Sequence, residues 1–405
     1  MIHLRKMMRA AATTCLALIC GAGWQCMGQS RVAAWGAGTF VSSPPDFNNY
    51  GQSIVPNDLT NAIYVVGGWR HSLASTTRGT PRGWGDDTLG QTDLAARSNY
   101  VALACGSLHS LGLLSDGAVR GTGDDYYGQT DVPADLTNAV SIKAGFYHSL
   151  ALRSDGTLAA WGTSTNINTI GTDPSYGQAL VPNGLSNVVA IAAGGWHNLA
   201  LKADGTLLGW GRDDYGQVDV PAGLSNIVAV SAGAAHSVAL RANGTVVAWG
   251  LNLYGQTNVP AGLSNVVAIA AGGWHNLALK SDGKVVAWGA GGPNTNTLVV
   301  YGQNVVPPGL SNVVQIAAGA VHSLALSTTV PPVFTTTLTA PALGTNGFQV
   351  SVQTKPGNVY ALEYKSSLAD PRWTALPLHA GTGGLVQLTD PTSAPALRFY
   401  RVSRW

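Results

Sequence analysis

The sequence is poor in the side chains that carry acid–base chemistry. Only 10% of its 405 residues are charged, and its single glutamate is Glu363. Hydrolytic catalysis by two carboxylates needs a convergent acidic pair, and most aspartates here stand beside turn residues, where they usually fix the local backbone. We find no phosphate-binding loop and no nucleophile motif. The composition therefore argues against an enzyme, and a hydrolase or lyase is the less favoured alternative.

Metal-ligand sets are also missing. Three aspartate pairs could attract calcium, but none belongs to a complete oxygen-ligand loop; they are Asp86-Asp87, Asp124-Asp125 and Asp213-Asp214. We therefore predict no metal and no other cofactor.

Cysteine is scarce, and long apolar runs are absent. Three of the four cysteines lie in the first 26 residues, within a segment whose basic start precedes an apolar stretch from Ala10 to Ala22. That stretch is too short to span a bilayer and is typical of a secretory signal, which we place at residues 1–30. Secretion, whether periplasmic, to the cell surface or extracellular, is thus predicted, without membrane-spanning segments. Cleavage would leave Cys105 alone, so no internal disulfide is expected.

The charge balance excludes one class of partner. Removing Arg5, Lys6 and Arg9 with the signal changes the formal net charge from +2 to −1. A chain without basic excess is a poor nucleic-acid ligand. We predict no nucleic-acid binding.

What the sequence has in abundance is repetition. Seven histidines each follow a glycine by three residues and an asparagine by ten; they are His71, His109, His148, His197, His236, His275 and His322. Such regularity is typical of a structural unit repeated seven times. We therefore interpret these histidines as structural. We expect each imidazole to be buried and bonded to neighbouring backbone, since seven equivalent residues cannot converge on one ion.

The unit contains strand patterns and no helix pattern. Its clearest copy, residues 263–307, predicts three firm strands and a shorter fourth ending at a proline; the segments are 266–270, 275–280, 284–288 and the residues before Pro307. The distance from histidine to the Trp-Gly position is always 13 residues, whereas insertions enter only the following loop, in three units. This pattern predicts an all-β protein.

The two ends of the repeat region hold complementary half-units. The segment Val32–Gly36 has a Trp-Gly strand without a histidine before it, and the last histidine, His322, has no Trp-Gly strand after it. Because a closed ring leaves only short edges exposed, we predict a seven-bladed β-propeller over residues 31–327, closed by a blade shared between both chain ends.

The motifs Gly-x-x-His-x-Leu-Ala-Leu, Asp-Gly, Val-Ala-Trp-Gly and Tyr-Gly-Gln resemble the regulator of chromosome condensation repeat. The resemblance implies a propeller that serves as a protein-binding platform. Eukaryotic members act as guanine-nucleotide exchange factors and bind chromatin, but the resemblance does not transfer a partner to this chain.

A different segment follows the repeats. Residues 328–340 have the composition of a linker, and residues 341–405 contain alternating strand patterns sufficient for a small β-sandwich-like domain. This domain is interpreted as an anchor, a sorting module or a stabilising cap.

The candidate binding residues are aromatic. They stand in the loop before the repeat histidine and are Trp69, Phe146, Tyr147, Trp196 and Trp274. We assign Trp69, Tyr147, Trp196 and Trp274 to one slot of the repeat, which other units fill with Leu108, Ala235 or Val321. In an up-and-down blade this loop and the insertion-bearing loop lie on the same face. Variation confined to one face indicates a binding surface for a protein or a glycan, although the rings could instead pack between blades. We predict a secreted, monomeric binding module; a purely structural surface protein is the alternative.

Overall fold

The computed structural model describes residues 30–38, 48–94, 99–163, 175–291, 301–329, 338–344, 347–367, 373–391 and 398–405. Within these ranges the chain contains strands and no helix, which confirms the all-β prediction. Residues 1–29 of the predicted signal, most of the three insertions and most of the linker lie outside the described residues, whereas Ser30, the last residue assigned to the signal, begins the first strand.

The first described strand, β1 (Ser30–Gly36), is followed by six sheets of three antiparallel strands, each built from consecutive strands. The sheets are β2 (Ala62–Gly67), β3 (His71–Thr76) and β4 (Pro81–Gly85); β5 (Tyr100–Cys105), β6 (His109–Leu114) and β7 (Val119–Gly123); β8 (Ala139–Ala144), β9 (His148–Arg153) and β10 (Leu158–Gly162); β11 (Val188–Ala193), β12 (His197–Lys202) and β13 (Leu207–Gly211); β14 (Ile227–Ala232), β15 (His236–Arg241) and β16 (Val246–Gly250); β17 (Val266–Ala271), β18 (His275–Lys280) and β19 (Val285–Gly289).

The seventh sheet joins residues from both ends of the repeat region. Strands β20 (Val313–Ala318) and β21 (His322–Thr328) pair with each other, and β1 pairs antiparallel with β21, placing Gly36 opposite His322. In each other sheet a Trp-Gly or Thr-Gly strand pairs with the histidine strand in this same register. Strand β1 therefore takes the place of the outer strand that this sheet would otherwise lack.

The seven sheets surround a common axis. The first strand of each sheet lies innermost, and the ends of all seven inner strands line one central space. Each middle strand is buried on both sides because neighbouring sheets cover its two faces. In β12, for example, Leu199 and Leu201 alternate with the small residue Ala200, and all three are fully buried. Large and small side chains from adjacent sheets thus interlock, and each buried leucine contributes about 2 kcal/mol.

The predicted fourth strand is not present in the described residues. In the copy used for the prediction, the segment before Pro307 forms no ladder, and in the equivalent segment of the preceding unit Val259 packs against a buried cluster without strand pairing. Proline offers no N–H to extend a sheet. Each blade therefore has three strands covered by an irregular segment.

The C-terminal segment forms two small sheets. Its strands are β22 (Leu338–Gly344), β23 (Gly347–Gln353), β24 (Val359–Lys365), β25 (Thr374–Ala375), β26 (His379–Ala380), β27 (Leu385–Asp390) and β28 (Phe399–Arg404). One sheet has the order β22-β23-β27, and the other is built around β24, which pairs with β25, β26 and β28. Val350, Val352, Tyr360, Leu362 and Leu388 form a buried cluster between them.

These C-terminal strands contact one face of the propeller. The backbone N–H of Leu378 donates to the carbonyl of Ala203, the first residue of an Asp-Gly turn, at 2.9 Å. Val359, Ala361 and Leu378 also belong to the buried cluster that contains propeller residues of β11 to β18. We call the side of the ring that bears the Asp-Gly turns the turn face, and the opposite side, which bears the loops after the inner and outer strands, the loop face.

Candidate functional site

The repeat histidines form a closed belt of hydrogen bonds inside the ring. All seven are completely buried, and the Nε2 atom of each contacts a serine or asparagine of the next blade at 2.8 to 3.0 Å. The pairs are His71–Ser110, His109–Ser149, His148–Asn198, His197–Ser237, His236–Asn276, His275–Ser323 and His322–Ser72. Our expectation that the imidazoles bond to neighbouring backbone was wrong. The partner of each Nε2 is instead a side chain, that of the serine or asparagine that follows the histidine of the next blade.

A second layer of hydrogen bonds decides the protonation of the belt. Ser237 Oγ donates to the carbonyl of Gln217 at 2.7 Å, and Trp249 Nε1 donates to the same carbonyl at 3.1 Å. The single hydrogen of the Ser237 hydroxyl is used in the bond to Gln217. In the contact between His197 and Ser237, the Nε2–H of His197 must therefore be the donor. In the unit without tryptophan, Thr122 Oγ1 donates to the Gly90 carbonyl at 2.8 Å, one residue before the Gln91 carbonyl that accepts from Ser110.

Burial keeps the belt neutral. Desolvation lowers the pKa of His71, His148 and His236 from 6.5 to about 4, and that of the other four histidines to about 3. Since each Nε2 is already bonded, these side chains are arranged as interblade connectors. Among the described residues, no three His, Cys, Asp or Glu side chains form a group that could hold a metal ion.

The thiol of Cys105 is also inert by its surroundings. Desolvation raises its pKa to about 12, and Ser110 Oγ lies 3.8 Å from its sulfur. A protonated, half-buried thiol in the wall of the ring is a packing residue.

The carboxylates of the described residues do not converge on one site. Glu363 lies in the C-terminal sheet and accepts hydrogen bonds from Arg401 and Ser403. The Asp213 carboxylate accepts the backbone N–H of Val218 at 3.0 Å, and Asp204 accepts that of Thr206, also at 3.0 Å. The two aspartates fix a loop and a turn, as the sequence predicts, whereas Glu363 joins two strands.

The candidate aromatic residues meet on the loop face, but they occupy two slots. Trp69 and Phe146 stand one residue after the repeat glycine, whereas Tyr147, Trp196 and Trp274 stand two residues after it. Our assignment of Trp69 to the same slot as the other tryptophans was therefore wrong. The distinction has a spatial consequence, because first-slot residues line the axis and second-slot residues lie beside it.

The first-slot rings cover the axis from one side. Trp69 and Phe146 come from blades that are not adjacent, and their ring centroids are 4.9 Å apart. Trp196 packs edge-on against Phe146 at 4.8 Å. Trp274 and Trp69 contact a cluster of small side chains that includes Ala320 and Val321. The remaining first-slot residues are small, and they are Ser107, Gly195, Ala234, Gly273 and Ala320.

Each of the five candidate rings is half-buried. They are therefore neither the fully exposed anchors that the sequence argument favours nor core residues. We interpret them as a preformed aromatic cluster, with one surface packed against neighbours and one open to solvent.

A second layer of aromatic residues surrounds this cluster. Tyr127 packs against Tyr147 at 5.4 Å between centroids. Arg70 lies over Tyr50 at 4.8 Å, and Arg212 lies over Tyr176 at 4.7 Å. These tyrosines belong to the loops after the outer strands, so both loop types share one face, as predicted. Each of these three tyrosines belongs to a Tyr-Gly-Gln motif, but the motif alone predicts a loop and does not show that the tyrosine contacts the aromatic cluster.

The sequence comparison identifies the repeat. Five stretches match the family described as regulator of chromosome condensation (RCC1) repeat, at residues 100–129, 139–167, 188–217, 227–256 and 266–292. These five stretches of the propeller are RCC1 repeats. No curated protein sequence is significantly similar to the whole chain.

Solved structures share the RCC1 propeller fold at low sequence identity. Prp20p from Saccharomyces cerevisiae superimposes with a TM-score of 0.58 and 19% identity over 74% of this chain and 92% of that one. Yeast RCC1 (Prp20) bound to Kap60 gives a TM-score of 0.59 and 19% identity over 75% and 90%, respectively. Human WBSCR16 gives 0.56 and 20% over 74% and 98%. At these identities the likeness extends to the fold alone.

The described part of the chain has no helix long and apolar enough to cross a membrane.

Proposed function

We propose that this chain is a secreted, non-enzymatic binding protein whose loop face engages a protein partner. The observation that carries the proposal is the half-buried aromatic cluster at the centre of the loop face. Half-buried tryptophan, tyrosine and phenylalanine held in place by neighbouring rings are typical of binding hot spots.

Exposed apolar side chains around the cluster support a protein partner. Nine large hydrophobic residues are exposed in the described structure, and six of them lie in the loops that surround the aromatic cluster: Ile54, Leu89, Tyr126, Tyr215, Leu253 and Val305. Tyr126 and Leu253 are 83% and 75% exposed. A glycan site needs few apolar side chains beyond its stacking rings, whereas an apolar rim of this extent suits a protein surface.

The opposite face is less available. The C-terminal strands already contact the turn face beside Ala203, so a partner that approaches along the axis meets the loop face without obstruction from this segment.

The relatives support a binding role in general terms. The structure of Prp20p was described with its binding to Gsp1p and histones, and yeast RCC1 (Prp20) was solved bound to Kap60. The short unit and the signal-like N-terminus also resemble the secreted bacterial β-lactamase inhibitory protein II, which is likewise a propeller. These similarities support a protein-binding platform, and they name no partner for this chain.

Affinity capture tests the proposal. The full chain is used to retrieve proteins and glycans from the envelope and medium of its source organism. A Trp69/Trp196/Trp274→Ala variant should lose the captured partner, whereas a Leu338/Leu385→Ala variant, altered at exposed residues of the C-terminal sheets, should retain it. A partner captured equally by the loop-face variant would contradict the proposal.

A milder variant separates binding from stability. The three tryptophans are half-buried, and their removal should cost some folding free energy. Tyr126 and Leu253 are mostly exposed, so Tyr126/Leu253→Ala should keep the thermal midpoint unchanged and still weaken capture. Capture of a polysaccharide in place of a protein would favour the glycan alternative.

A further inference from the structure

The two faces of the propeller differ in how their carboxylates are compensated. On the turn face, four aspartates form ion pairs, and only Asp116 and Asp155 have none with a described residue. The pairs are Asp58 with Arg82, Asp135 with Arg153, Asp204 with Lys202, and Asp282 with Lys280 and Lys284. On the loop face, six exposed aspartates have no ion pair with any described residue; they are Asp87, Asp93, Asp125, Asp131, Asp213 and Asp219. The loop face therefore carries uncompensated negative charge.

The cations of the loop face are already engaged. Arg70 is held between Tyr50 and Trp69, and Arg212 pairs with Asp214 while lying over Tyr176 and Trp196. Neither guanidinium is bound to the six exposed aspartates. The unpaired acids lie in the loops after β4, β7 and β13, on the rim of the aromatic cluster.

The aromatic rings of this face already bind guanidinium groups from within the chain. Arg70 lies 5.9 Å from the Trp69 ring centre, and Arg212 lies 5.2 Å from that of Trp196. Rings attract cations through the negative charge of their faces. Tyr126 and Trp274 belong to the same face and stack with no cation among the described residues, so they can offer the same contact to a cation from outside.

Building on the proposed protein-binding function, we infer that the partner presents a basic segment to this face. Its lysine or arginine side chains pair with the exposed aspartates, and its cationic or apolar tip contacts the aromatic cluster. Uncompensated charge of one sign steers a complementary partner and disfavours acidic ones. A neutral glycan gains nothing from these carboxylates, and nucleic acids and anionic lipids are repelled by them.

One unit of the chain has asparagine where others have aspartate, and this natural difference suggests a substitution that removes the charge alone. Asp87, Asp125 and Asp213 each accept a backbone N–H through Oδ1, and in the loop after β16 Asn252 accepts the equivalent N–H of Thr257 at 2.9 Å. Asparagine thus preserves the loop geometry. An Asp87/Asp125/Asp213→Asn variant removes three charges while keeping the hydrogen bonds, and Asp58/Asp155/Asp282→Asn on the turn face is the matched control.

The probe is a random peptide library displayed on phage and selected on the full chain at low salt. We expect the recovered peptides to be rich in lysine and arginine. A synthetic copy of one such peptide, measured by fluorescence anisotropy, should bind the loop-face Asn variant about tenfold more weakly, since the variant lacks three exposed charges that attract the peptide. The turn-face variant should bind like the wild type.

The outcomes distinguish this inference from the function on which it rests. Neutral or acidic peptides that lose binding in Trp274→Ala but not in the loop-face Asn variant would overturn the basic partner and leave the loop-face function intact. Peptides whose binding is unaffected by every loop-face variant would overturn both.

Discussion

At the scale of single residues, close contact with the imidazole explains why the position three residues before each repeat histidine is glycine. A Cβ atom built on Gly233 would lie 2.2 Å from His236 Cε1 and 2.5 Å from the carbonyl oxygen of Gly272 in the next blade. Its φ is not in the left-handed region, so backbone freedom is not the reason for glycine here. The imidazole lies directly over this α-carbon. The constant spacing of three residues from glycine to histidine is the sequence pattern that this contact produces.

Replacing Gly233 by alanine should therefore destabilise the propeller by roughly 3 kcal/mol, because neither the buried imidazole nor the neighbouring backbone can move away. Gly223→Ala is the control: its φ is +75° and nothing lies within 4 Å of its added Cβ, so about 1 kcal/mol of backbone strain is expected. Urea unfolding followed by tryptophan fluorescence measures both. Equal losses at the two sites would show that the histidine contact is not the constraint.

At the scale of the structural element, the short loop after four of the outer strands is held by one polar side chain. Asp87, Asp125, Asp213 and Asn252 all bond the backbone N–H five residues later. The bond closes the loop just before the segment that covers the blade. The element needs an acceptor oxygen at this position and does not need a charge.

Asp213→Ala should accordingly lower the free energy of unfolding by about 1 kcal/mol, the usual contribution of a hydrogen bond that fixes a backbone turn. Asp213→Asn should be nearly neutral because the amide oxygen accepts the same N–H. Thermal unfolding of the two variants in parallel provides the comparison, and an asparagine variant as unstable as the alanine variant would mean that charge holds the loop.

At the scale of the whole molecule, the ring is completed by strands from opposite ends of the repeat region. Strand β1 supplies Trp35, whose Nε1 donates to the Gln303 carbonyl at 2.9 Å, and Val32, which is buried in the core. Seven histidine contacts then close on themselves through His322 and Ser72. Stability is thus shared around the ring, since no blade has a free face or a free middle strand.

Deleting residues 30–38 should expose the edge of β21 and cause aggregation or partial unfolding. A synthetic peptide of the deleted sequence, added during refolding, should restore the monomer and the native tryptophan spectrum. Size-exclusion chromatography with and without the peptide gives the readout. A monomeric deletion variant with an unchanged melting temperature would refute the role of β1 in closure.

The histidine belt makes stability depend on pH. An unfolded chain protonates its histidines near pH 6.5, whereas burial lowers the folded pKa values to about 3 to 4, so unfolding takes up protons between these limits. Stability should be full above pH 6.5 and fall as the pH decreases toward 4. Each histidine contributes at most about 1.4 kcal/mol per pH unit, and seven act together.

Urea unfolding at pH 7.5, 6.5 and 5.5, at constant salt, tests this dependence, and its slope counts the protons taken up. We expect a slope well above that of a single group. A flat profile across this range would show that the belt histidines are protonated or accessible in the folded protein.

Much of the architecture could be predicted from spacing. The constant 13 residues from histidine to the Trp-Gly position are the register of a hairpin, and in the structure His197 stands opposite Gly211. The half-units at the ends predicted the pairing of β1 with β21. The prediction of a fourth strand was wrong. Alternation of apolar residues shows which side chains face a core, but a strand also needs backbone donors and acceptors, and proline supplies no donor.

The sequence predicted which loops carry the candidate binding residues, but it did not predict which of these loops contact each other to form a surface. Aromatic residues in the loop after the inner strand were identified, but Tyr50, Tyr127 and Tyr176, which surround them, were not. Their contacts join loops that are separate in sequence, and no periodicity within one unit reports which loops meet. The contact between Trp69 and Phe146, from blades that are not adjacent, is of this kind.

The sequence by itself determined the repeat number, the all-β class and the position of each turn, because these follow from local spacing and from the conformations that glycine and proline permit. Only the tertiary structure decided that each imidazole bonds the next blade, that rings from the two aromatic slots pack together beside the axis, and that the C-terminal strands contact the turn face. Closing the ring brings distant residues within hydrogen-bonding distance, and burial then sets their protonation and their partners.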